Sequence, residues 1–175
     1  MSRTVAIRRL NPEETDRAAS ALGAVLLDCV QGGASVSFMP DLDAAGAAAF
    51  WRDQASAQAA DGRVVLAAED PQGIVGVVMV IPAWAPNQPH RADVSKMLVH
   101  RRVRRRGVGE ALLRAAEAAA RARGFALLTL DTMQGGDAER LYARLGWTAI
   151  GTIPDYALWP DGRPGGSTFF YKALA

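Results

Sequence analysis

The sequence predicts a single α/β (α+β) domain over residues 1–175, with a mixed, largely antiparallel sheet flanked by helices. With 175 residues, half of them hydrophobic, the chain can bury a core without disulfides or metal ions. Short apolar runs of strand character alternate with segments of helical periodicity. Residues 93–131 form a strand–helix–strand unit, and such a crossover joins two parallel strands, here the fourth and fifth.

The first half of the chain predicts a strand, two helices and a hairpin. In order, these are a strand (5–10), a helix (12–30), a loop (31–43), an alanine-rich helix (43–60) and two strands (64–69 and 74–81). Asn11-Pro12 is a helix-start signal. One face of the first helix carries Leu22, Val25, Leu26 and Cys29. The residues DPQG between the two strands are typical of a turn, so these strands form an antiparallel hairpin.

The second half continues with alternating strands and helices. The predicted elements are a strand (93–99), a helix (107–123), a strand (126–131), a short helix (137–146) and two strands (147–153 and 167–174). The long helix has an apolar stripe of Val108, Leu112, Ala115, Ala119 and Ala122. Ion pairs of i,i+4 spacing, Glu110–Arg114 and Glu117–Arg121, are expected on its opposite, solvent-exposed face.

The positive charge is concentrated at one place. Five arginines stand at positions 101, 102, 104, 105 and 106, and without them the net charge of +2 would fall by five, to −3. A nucleic-acid-binding protein usually spreads cations along a face, with aromatic residues between them. Since no aromatic residue lies between Trp84 and Phe125, we expect no nucleic-acid partner.

Other features exclude further classes of protein. The apolar stretches are too short to span a membrane and the N-terminus lacks a signal peptide, so we expect a cytoplasmic protein without a membrane partner. The single cysteine, Cys29, fits a reducing compartment and is expected to be a buried thiol. No Cys/His cluster has ligand spacing, so we expect no metal.

The stretch HRRVRRRGVGEALL (100–113) predicts an anion site. Here the chain leaves a strand and enters a helix through Gly107 and Gly109. Backbone N–H groups at a helix N-terminus are unpaired, and the helix dipole favours an anion there. The glycines let the backbone approach closely and the arginines add charge. A compact polyanion such as a pyrophosphate fits this arrangement better than an extended duplex.

Two motifs give the chain a family resemblance. Arg104-x-x-Gly107-x-Gly109 matches the Arg/Gln-x-x-Gly-x-Gly/Ala signature of the GCN5-related N-acetyltransferases (GNAT), and LYARLGW (141–147) resembles their Leu-Tyr-x-x-x-Gly-Phe segment. The order of strands and helices also resembles theirs. The segments GGASVSFMPDLD (32–43), LTLDT (128–132), PDGR and FYKAL are similar to the tabtoxin-resistance acetyltransferases, which inactivate a β-lactam toxin by acetylating its amine.

The resemblance implies acetyl-CoA as co-substrate and assigns residues to bind it. The pyrophosphate would be held by a loop made of Arg104, Arg105, Arg106, Gly107, Val108 and Gly109. The pantetheine arm would pair with the strand backbone of Met97, Leu98 and Val99. One N–H group, of Leu98 or Val99, would polarise the acetyl carbonyl and stabilise the tetrahedral oxyanion.

The reaction needs a base and a proton donor. An alkylammonium has a pKa of about 10.4, so it must lose a proton before it can attack. Asp93 and Asp131 are the candidate bases, because parallel neighbouring strands bring both carboxylates toward one cleft. The alternatives are that Asp93 is a solvated strand start and Asp131 a turn residue or an anchor for the acceptor's ammonium. Tyr142 is the candidate proton donor to the leaving thiolate; the alternative is a core residue.

The expected function is therefore acetyl transfer from acetyl-CoA to a primary amine of a small molecule, such as an antibiotic or an amino-acid-like toxin, by direct attack in a ternary complex. The alternatives are a protein N-terminal or lysine acetyltransferase, and a non-catalytic acyl-CoA-binding regulatory module. Phe38 and Met39, in an apolar loop (32–39), are expected to wall the acceptor site; alternatively they cap the core. The sequence is compatible with a homodimer and does not determine the oligomeric state.

Overall fold

The computed structural model describes residues 5–174, which form a seven-stranded sheet and five α-helices. The strands are β1 (Ala6–Leu10), β2 (Val64–Asp70), β3 (Gly73–Pro82), β4 (Arg91–Val99), β5 (Leu127–Met133), β6 (Thr148–Leu158) and β7 (Pro164–Ala173). The helices are α1 (Pro12–Arg17), α2 (Ala19–Gln31), α3 (Ala44–Asp61), α4 (Val108–Ala122) and α5 (Asp137–Arg144). The strands lie in the order β1-β2-β3-β4-β5-β7-β6.

The strand pairing confirms the predicted mixed sheet. β4 and β5 are parallel, and every other pair of neighbouring strands in the described part of the chain is antiparallel. The parallel pairing covers only Arg91–Asp93 against Leu127–Thr129. Beyond those residues β4 and β5 are not paired. They therefore leave a fork that opens toward their carboxyl ends.

The two faces of the sheet are covered unequally. On one face α4 packs with α5 over a core that includes Leu112, Leu128 and Phe170. On the other face α2 and α3 cover the β1–β4 half, with Leu22 and Trp51 fully buried. In the described residues, no helix of this second layer packs extensively on β5, β7 or β6. The second face is thus open beside the fork.

The predicted helix over 12–30 is two helices, separated at Ala18 (φ −86°, ψ 0°). The break allows α1 and α2 to make different contacts. Thr15 of α1 is buried and donates its hydroxyl hydrogen to the side-chain oxygen of Gln58 on α3 (2.9 Å). α2 buries the four apolar residues predicted for its inner face.

The predicted polar face of α4 is wrong at Glu117. The Glu110–Arg114 ion pair is present, with 2.9 Å between nitrogen and oxygen. Glu117, however, is buried and accepts hydrogen bonds from the indole of Trp147 (3.0 Å) and the ammonium of Lys172 (2.8 Å). The buried residues of α4 are Val108, Leu112, Leu113, Ala116, Glu117 and Ala120. Because alanine is tolerated both inside and outside, an alanine-rich helix gives little contrast from which to orient it.

The C-terminal hairpin is longer than predicted. β6 continues through Pro154 to Leu158, and β7 begins at Pro164. Asp155 has a φ of 53°, and the register with β7 is irregular between Ile153 and Ala157. β6 lies at the edge of the sheet, where a proline removes no ladder hydrogen bond. Pro154-Asp155 therefore interrupts the regularity of the strand without ending it.

Candidate active site

The fork between β4 and β5 brings together carboxylates, a lysine and a tyrosine. Thr129 of β5 lies opposite Asp93, and Asp131 follows two residues later on the same face. Burial raises the pKa of Tyr142 on α5, and the nearby charge of Asp131 raises it further. Burial lowers the pKa of Lys96 on β4, and the charge of Asp131 opposes that change. Asp131 is thus close enough to act electrostatically on both groups.

Asp93 is occupied by its neighbours at the vertex of the fork. Its carboxylate pairs with the guanidinium of Arg91 at 2.5 Å and accepts a hydrogen bond from the hydroxyl of Thr129. Arg91 also donates to the Thr129 hydroxyl (2.7 Å), which closes a three-residue cluster across the parallel pair. This cluster joins β4 to β5 at the last point where the strands pair.

Asp131 is less constrained. One of its carboxylate oxygens accepts a hydrogen bond from the hydroxyl of Ser167 on β7 (2.7 Å). Its other oxygen accepts no hydrogen bond from any residue in the range 5–174, and the side chain is exposed at the open face. Of the two candidate bases, Asp131 is therefore the one with a free oxygen in the fork.

Tyr142 is held by packing. It is 5% exposed, and its ring lies against those of Trp147 and Phe170, with centroids 5.7 and 5.8 Å apart. Its raised pKa keeps the hydroxyl protonated well above neutral pH. A protonated, buried hydroxyl can donate a hydrogen bond to a leaving group, whereas its raised pKa disfavours complete transfer of the proton.

β4 has an unpaired edge beyond Asp93. A bulge shifts its register with β3 between Val77 and Met79, and Lys96 in the bulge has a φ of 50°. His100 donates its N–H to the carbonyl of Val75 on the β3 side (2.8 Å). Since backbone groups alternate in direction along a strand, the N–H of Leu98 also faces β3. That of Val99 then faces the fork.

The glycine–arginine segment leads into an uncapped helix start at α4. Gly107 has a φ of 78°, a conformation that favours glycine, and is the N-cap of this fifteen-residue helix without a side-chain cap. The first N–H groups of α4 therefore lack an intrahelical partner and face outward with the positive end of the dipole.

The five arginines divide into two groups. Three support the loop: Arg101 pairs with Asp28 (2.9 Å), Arg102 with Asp70 (2.5 Å), and Arg104 donates to the carbonyl of Val99 (3.1 Å). Burial alone would raise the pKa of Asp28, but the hydrogen bonds from Arg101 and the charges of His100 and Arg101 together leave that pKa lowered.

Arg105 and Arg106 are available to a ligand. Arg105 is exposed and only loosely paired with Asp137 (3.4 Å), and Arg106 forms no ion pair with any described residue. The predicted basic spot therefore supplies two cations at the helix start, while the other three hold the loop in shape.

Gly109 has a packing role that the sequence did not indicate. A Cβ atom there would lie 3.3 Å from Leu141, 3.7 Å from Val99 and 3.8 Å from Met97. The missing side chain thus lets α4 approach α5 and β4. Of the two glycines predicted to admit an anion, Gly107 has open space around its Cβ direction, whereas Gly109 faces inward.

The loop between α2 and α3 borders the fork. Ser35 donates its hydroxyl hydrogen to the carbonyl of Leu158 at the end of β6 (2.8 Å), so the loop reaches across the open face. Phe38 is half-buried and packs edge-on against Phe50 of α3, with centroids 5.1 Å apart. Met39 is exposed. Phe38 thus packs on the second-layer core, and the ammonium of Lys96 on β4 lies 5.7 Å from its ring centroid.

Sequence reasoning missed Lys96, Phe50 and Ser167. Lys96 lies inside the predicted strand 93–99, and only the bulge in β4 directs its side chain to the loop between α2 and α3. Ser167 becomes a partner of Asp131 through the pairing of β5 with β7, which joins residues far apart in sequence. Cys29 is buried as predicted, and burial raises the pKa of its thiol.

The described residues contain neither a metal-ligand cluster nor a membrane-spanning helix. Within residues 5–174 no group of three or more His, Cys, Asp or Glu side chains could hold a metal ion. In the same part of the chain, no helix has the length and apolar character needed to cross a bilayer.

Comparison with known proteins identifies the family. The sequence profile of the Acetyltransferase (GNAT) family matches residues 29–147, which is more than half of the chain. The chain therefore belongs to the GNAT family. The mixed sheet with its parallel β4–β5 pair is the fold of that family, as the resemblance in the sequence implied.

Solved structures share this fold at low sequence identity. A proposed acetyltransferase of Salmonella typhimurium, solved with its cofactor acetyl-CoA, superposes with a TM-score of 0.81 at 20% identity, over 98% of this chain and 95% of the other. A ribosomal-protein-alanine N-acetyltransferase from Brucella melitensis gives 0.80 at 23% identity, over 97% and 99%. A phosphinothricin acetyltransferase from Sinorhizobium meliloti in complex with acetyl-CoA gives 0.79 at 18%, over 98% and 89%.

Proposed function

We propose that this protein transfers the acetyl group of acetyl-CoA to the primary amine of a small molecule, by direct attack in a ternary complex. The observation that carries the proposal is the fork, where an unpaired strand edge, a free carboxylate oxygen and a buried tyrosine meet. An anion-binding helix start lies at the end of the same strand. We take residues 1–175 to act as one catalytic domain.

In this proposal CoA lies along β4 and ends at α4. Its pyrophosphate accepts hydrogen bonds from the backbone of Gly107, Val108 and Gly109, and Arg105 and Arg106 neutralise its charge. Arg104 supports this loop through its hydrogen bond to the carbonyl of Val99. Two solved structures with the same fold contain acetyl-CoA, which supports the choice of co-substrate.

The pantetheine arm extends the sheet at the open edge of β4. The N–H of Val99 faces that edge, so Val99 pairs with the arm, with Met97 beside it, while Leu98 pairs with β3. Of the two candidate oxyanion donors, the N–H of Val99 is the one directed into the fork. It stabilises the negative charge that develops on the acetyl oxygen.

Protons move through Asp131 and Tyr142. Asp131 takes a proton from the acceptor's ammonium, directly or through a water molecule, and the free amine attacks the acetyl carbon. The new C–N bond forms, the nitrogen loses its second proton to solvent, the C–S bond breaks, and CoA leaves as a thiolate toward the hydroxyl of Tyr142. That hydroxyl donates a hydrogen bond or its proton. Asp93, bound to Arg91 and Thr129, holds the vertex of the fork and is assigned no proton transfer.

The acceptor is proposed to be an antibiotic or an amino-acid-like toxin. The loop over 32–43 reaches the end of β6 through the hydrogen bond of Ser35 to Leu158, and we propose that it narrows the approach to the fork and so favours a small molecule. In this proposal Phe38 and Met39 form the wall of the acceptor site. The similarity to tabtoxin-resistance enzymes and, at 18% identity, to a phosphinothricin acetyltransferase points to this class. The rival acceptor is a protein N-terminus. It is supported by the similarity, at 23% identity, to the Brucella protein, which is named a ribosomal-protein-alanine N-acetyltransferase.

The assembly is proposed to be a homodimer that works in the cytoplasm. β6 is an edge strand with Ile150, Ile153 and Tyr156 exposed, and an exposed apolar edge favours pairing with another chain. Light scattering at micromolar concentration tests this: a dimeric mass that Ile150→Glu converts to a monomer supports it, and a monomeric wild type contradicts it.

The decisive test of function is an amine screen. Release of CoA from acetyl-CoA is followed with a panel of amino-acid-like toxins, aminoglycosides, polyamines and short peptides. At least one small amine should increase the release, and Asp131→Asn should lower kcat by about a hundredfold or more, in line with the loss of a general base. Asp93→Asn is the matched control and should reduce stability more than kcat. Turnover of peptides alone would favour the rival acceptor, and binding of acetyl-CoA without any turnover would leave only a regulatory module.

A further inference from the structure

Lys96 occupies an unusual position in the fork. It is the bulge residue of β4, and its φ of 50° is a backbone conformation that a lysine rarely adopts. The bulge turns its side chain away from the sheet toward the loop between α2 and α3. Its ammonium nitrogen lies 5.7 Å from the ring centroids of both Phe38 and Phe50. Two aromatic rings thus hold one cation at the wall of the cleft.

The hydrogen-bonding capacity of this ammonium is only partly used. It donates to the hydroxyl of Ser37 at 3.2 Å, and it forms no ion pair within 4 Å with any described carboxylate. An ammonium has three donors, so two are left for a ligand. Lys96 is half-buried, and this burial lowers the pKa of its ammonium. Because this cation is held by two aromatic rings and one hydroxyl, it can bind an oxyanion of a ligand without breaking an ion pair.

The charges around the fork form two pairs of opposite sign. Arg91 and Asp93 are in direct contact and neutralise each other. Asp131 and Lys96 are separate, although the charge of Asp131 is felt at Lys96. A simple alkylammonium bound at Asp131 would be repelled by Lys96. An acceptor that carries an anionic group together with its amine would satisfy both charges at once.

We infer that Lys96 selects the acceptor by binding an oxyanion, such as a carboxylate, on the molecule whose amine is acetylated. The inference rests on the proposed function and adds the charge pattern of the substrate: an ammonium directed to Asp131 and an anion directed to Lys96. Phe38, Phe50 and Ser37 position the Lys96 ammonium.

The test measures binding of matched acids and amides. L-Methionine, L-glutamine, L-leucine and L-tyrosine, each with its carboxamide, are titrated by calorimetry into the protein saturated with CoA. At least one acid should bind more tightly than its amide by about tenfold to a hundredfold, the usual range for a hydrogen bond to a charged group. Lys96→Met should reduce that preference to less than about twofold, and Lys96→Arg should retain part of it.

The melting temperature separates selection from a structural role. Methionine fills a similar volume between Phe38 and Phe50 without a charge, so Lys96→Met should melt at the same temperature as wild type or higher. Ser37→Ala should weaken binding of the acid less than Lys96→Met does. Equal binding of acids and amides by wild type, a preference that survives in Lys96→Met, or no binding of any acid would each overturn the inference.

Turnover separates this inference from the proposed function. The same eight compounds are assayed for release of CoA from acetyl-CoA. Acetylation of amides as readily as acids would overturn the role of Lys96 and leave acetyl transfer intact. A preference for acids that depends on Lys96, without CoA release from any amine, would support the anion site and contradict the transferase.

Discussion

Replacing Tyr142 by phenylalanine removes one oxygen from the site and preserves the packing. The ring is 5% exposed and lies between those of Trp147 and Phe170, contacts that phenylalanine keeps. The hydroxyl donates no hydrogen bond to any residue in the range 5–174, so its removal leaves no protein partner unsatisfied. We expect the free energy of unfolding at neutral pH to change by less than about 0.5 kcal/mol.

The expected effect of Tyr142→Phe is on turnover. Loss of the proton donor should lower kcat by about tenfold to a thousandfold, which is about 1.4–4 kcal/mol of transition-state stabilisation. The KM for acetyl-CoA should stay within about twofold. Tyr171→Phe, which removes a hydroxyl from a partly exposed ring on β7, is the matched control and should leave kcat unchanged. An unaffected kcat in Tyr142→Phe would mean that this tyrosine only packs.

The same variant changes the dependence of stability on pH. The pKa of Tyr142 is higher in the folded protein than in the unfolded chain, where it is about 10. Above about pH 10 the unfolded chain therefore loses this proton while the folded protein keeps it, so stability is unaffected below that pH and falls as the pH rises toward the folded pKa. Thermal melts between pH 8 and pH 11 should show a steeper alkaline loss for wild type than for Tyr142→Phe. Parallel curves would contradict the assignment of the raised pKa.

Three further predictions separate binding from stability. Arg105→Ala and Arg106→Ala should each raise the KM for acetyl-CoA by about tenfold with an unchanged melting temperature. Arg102→Ala should instead lower the melting temperature and leave this KM unchanged, because the Arg102 guanidinium pairs with the carboxylate of Asp70. Phe38→Ala should raise the acceptor KM and lower stability by about 1–2 kcal/mol, less than the roughly 3–5 kcal/mol of a full core phenylalanine; normal acceptor KM with a large loss of stability would assign Phe38 to the core. Glu117→Ala should cost about 3–5 kcal/mol, since it leaves a lysine largely buried without its carboxylate partner, and a chemical denaturation curve close to that of wild type would contradict this.

The sheet was predictable because its strands are encoded locally. The β2–β3 hairpin follows from two apolar runs around DPQG, and the parallel pair follows from the strand–helix–strand unit at 93–131. The errors occur where local pattern and tertiary contact conflict. Glu117 is polar yet buried, because the indole of Trp147 and the ammonium of Lys172 reach it from distant segments.

Candidate site residues were found where a sequence motif marks them. The motif around Gly107 and the position of Tyr142 are local signals. The choice between Asp93 and Asp131 was not available from the sequence, because it depends on the neighbours each carboxylate acquires across the sheet. Lys96 was missed for a similar reason, since a bulge is a feature of strand pairing and has no signature in DVSKMLV.

The central claim is that the fork transfers acetyl groups directly from acetyl-CoA to an amine. The most direct measurement is a mass balance on a single turnover, with excess enzyme, acetyl-CoA and the best acceptor from the screen, quenched and analysed by mass spectrometry. We predict one acetylated amine for each CoA released, no acetylated enzyme at any time, and slow formation of both products in Asp131→Asn. Acetyl-enzyme that forms before the product, or CoA released without acetylated amine, would contradict the account.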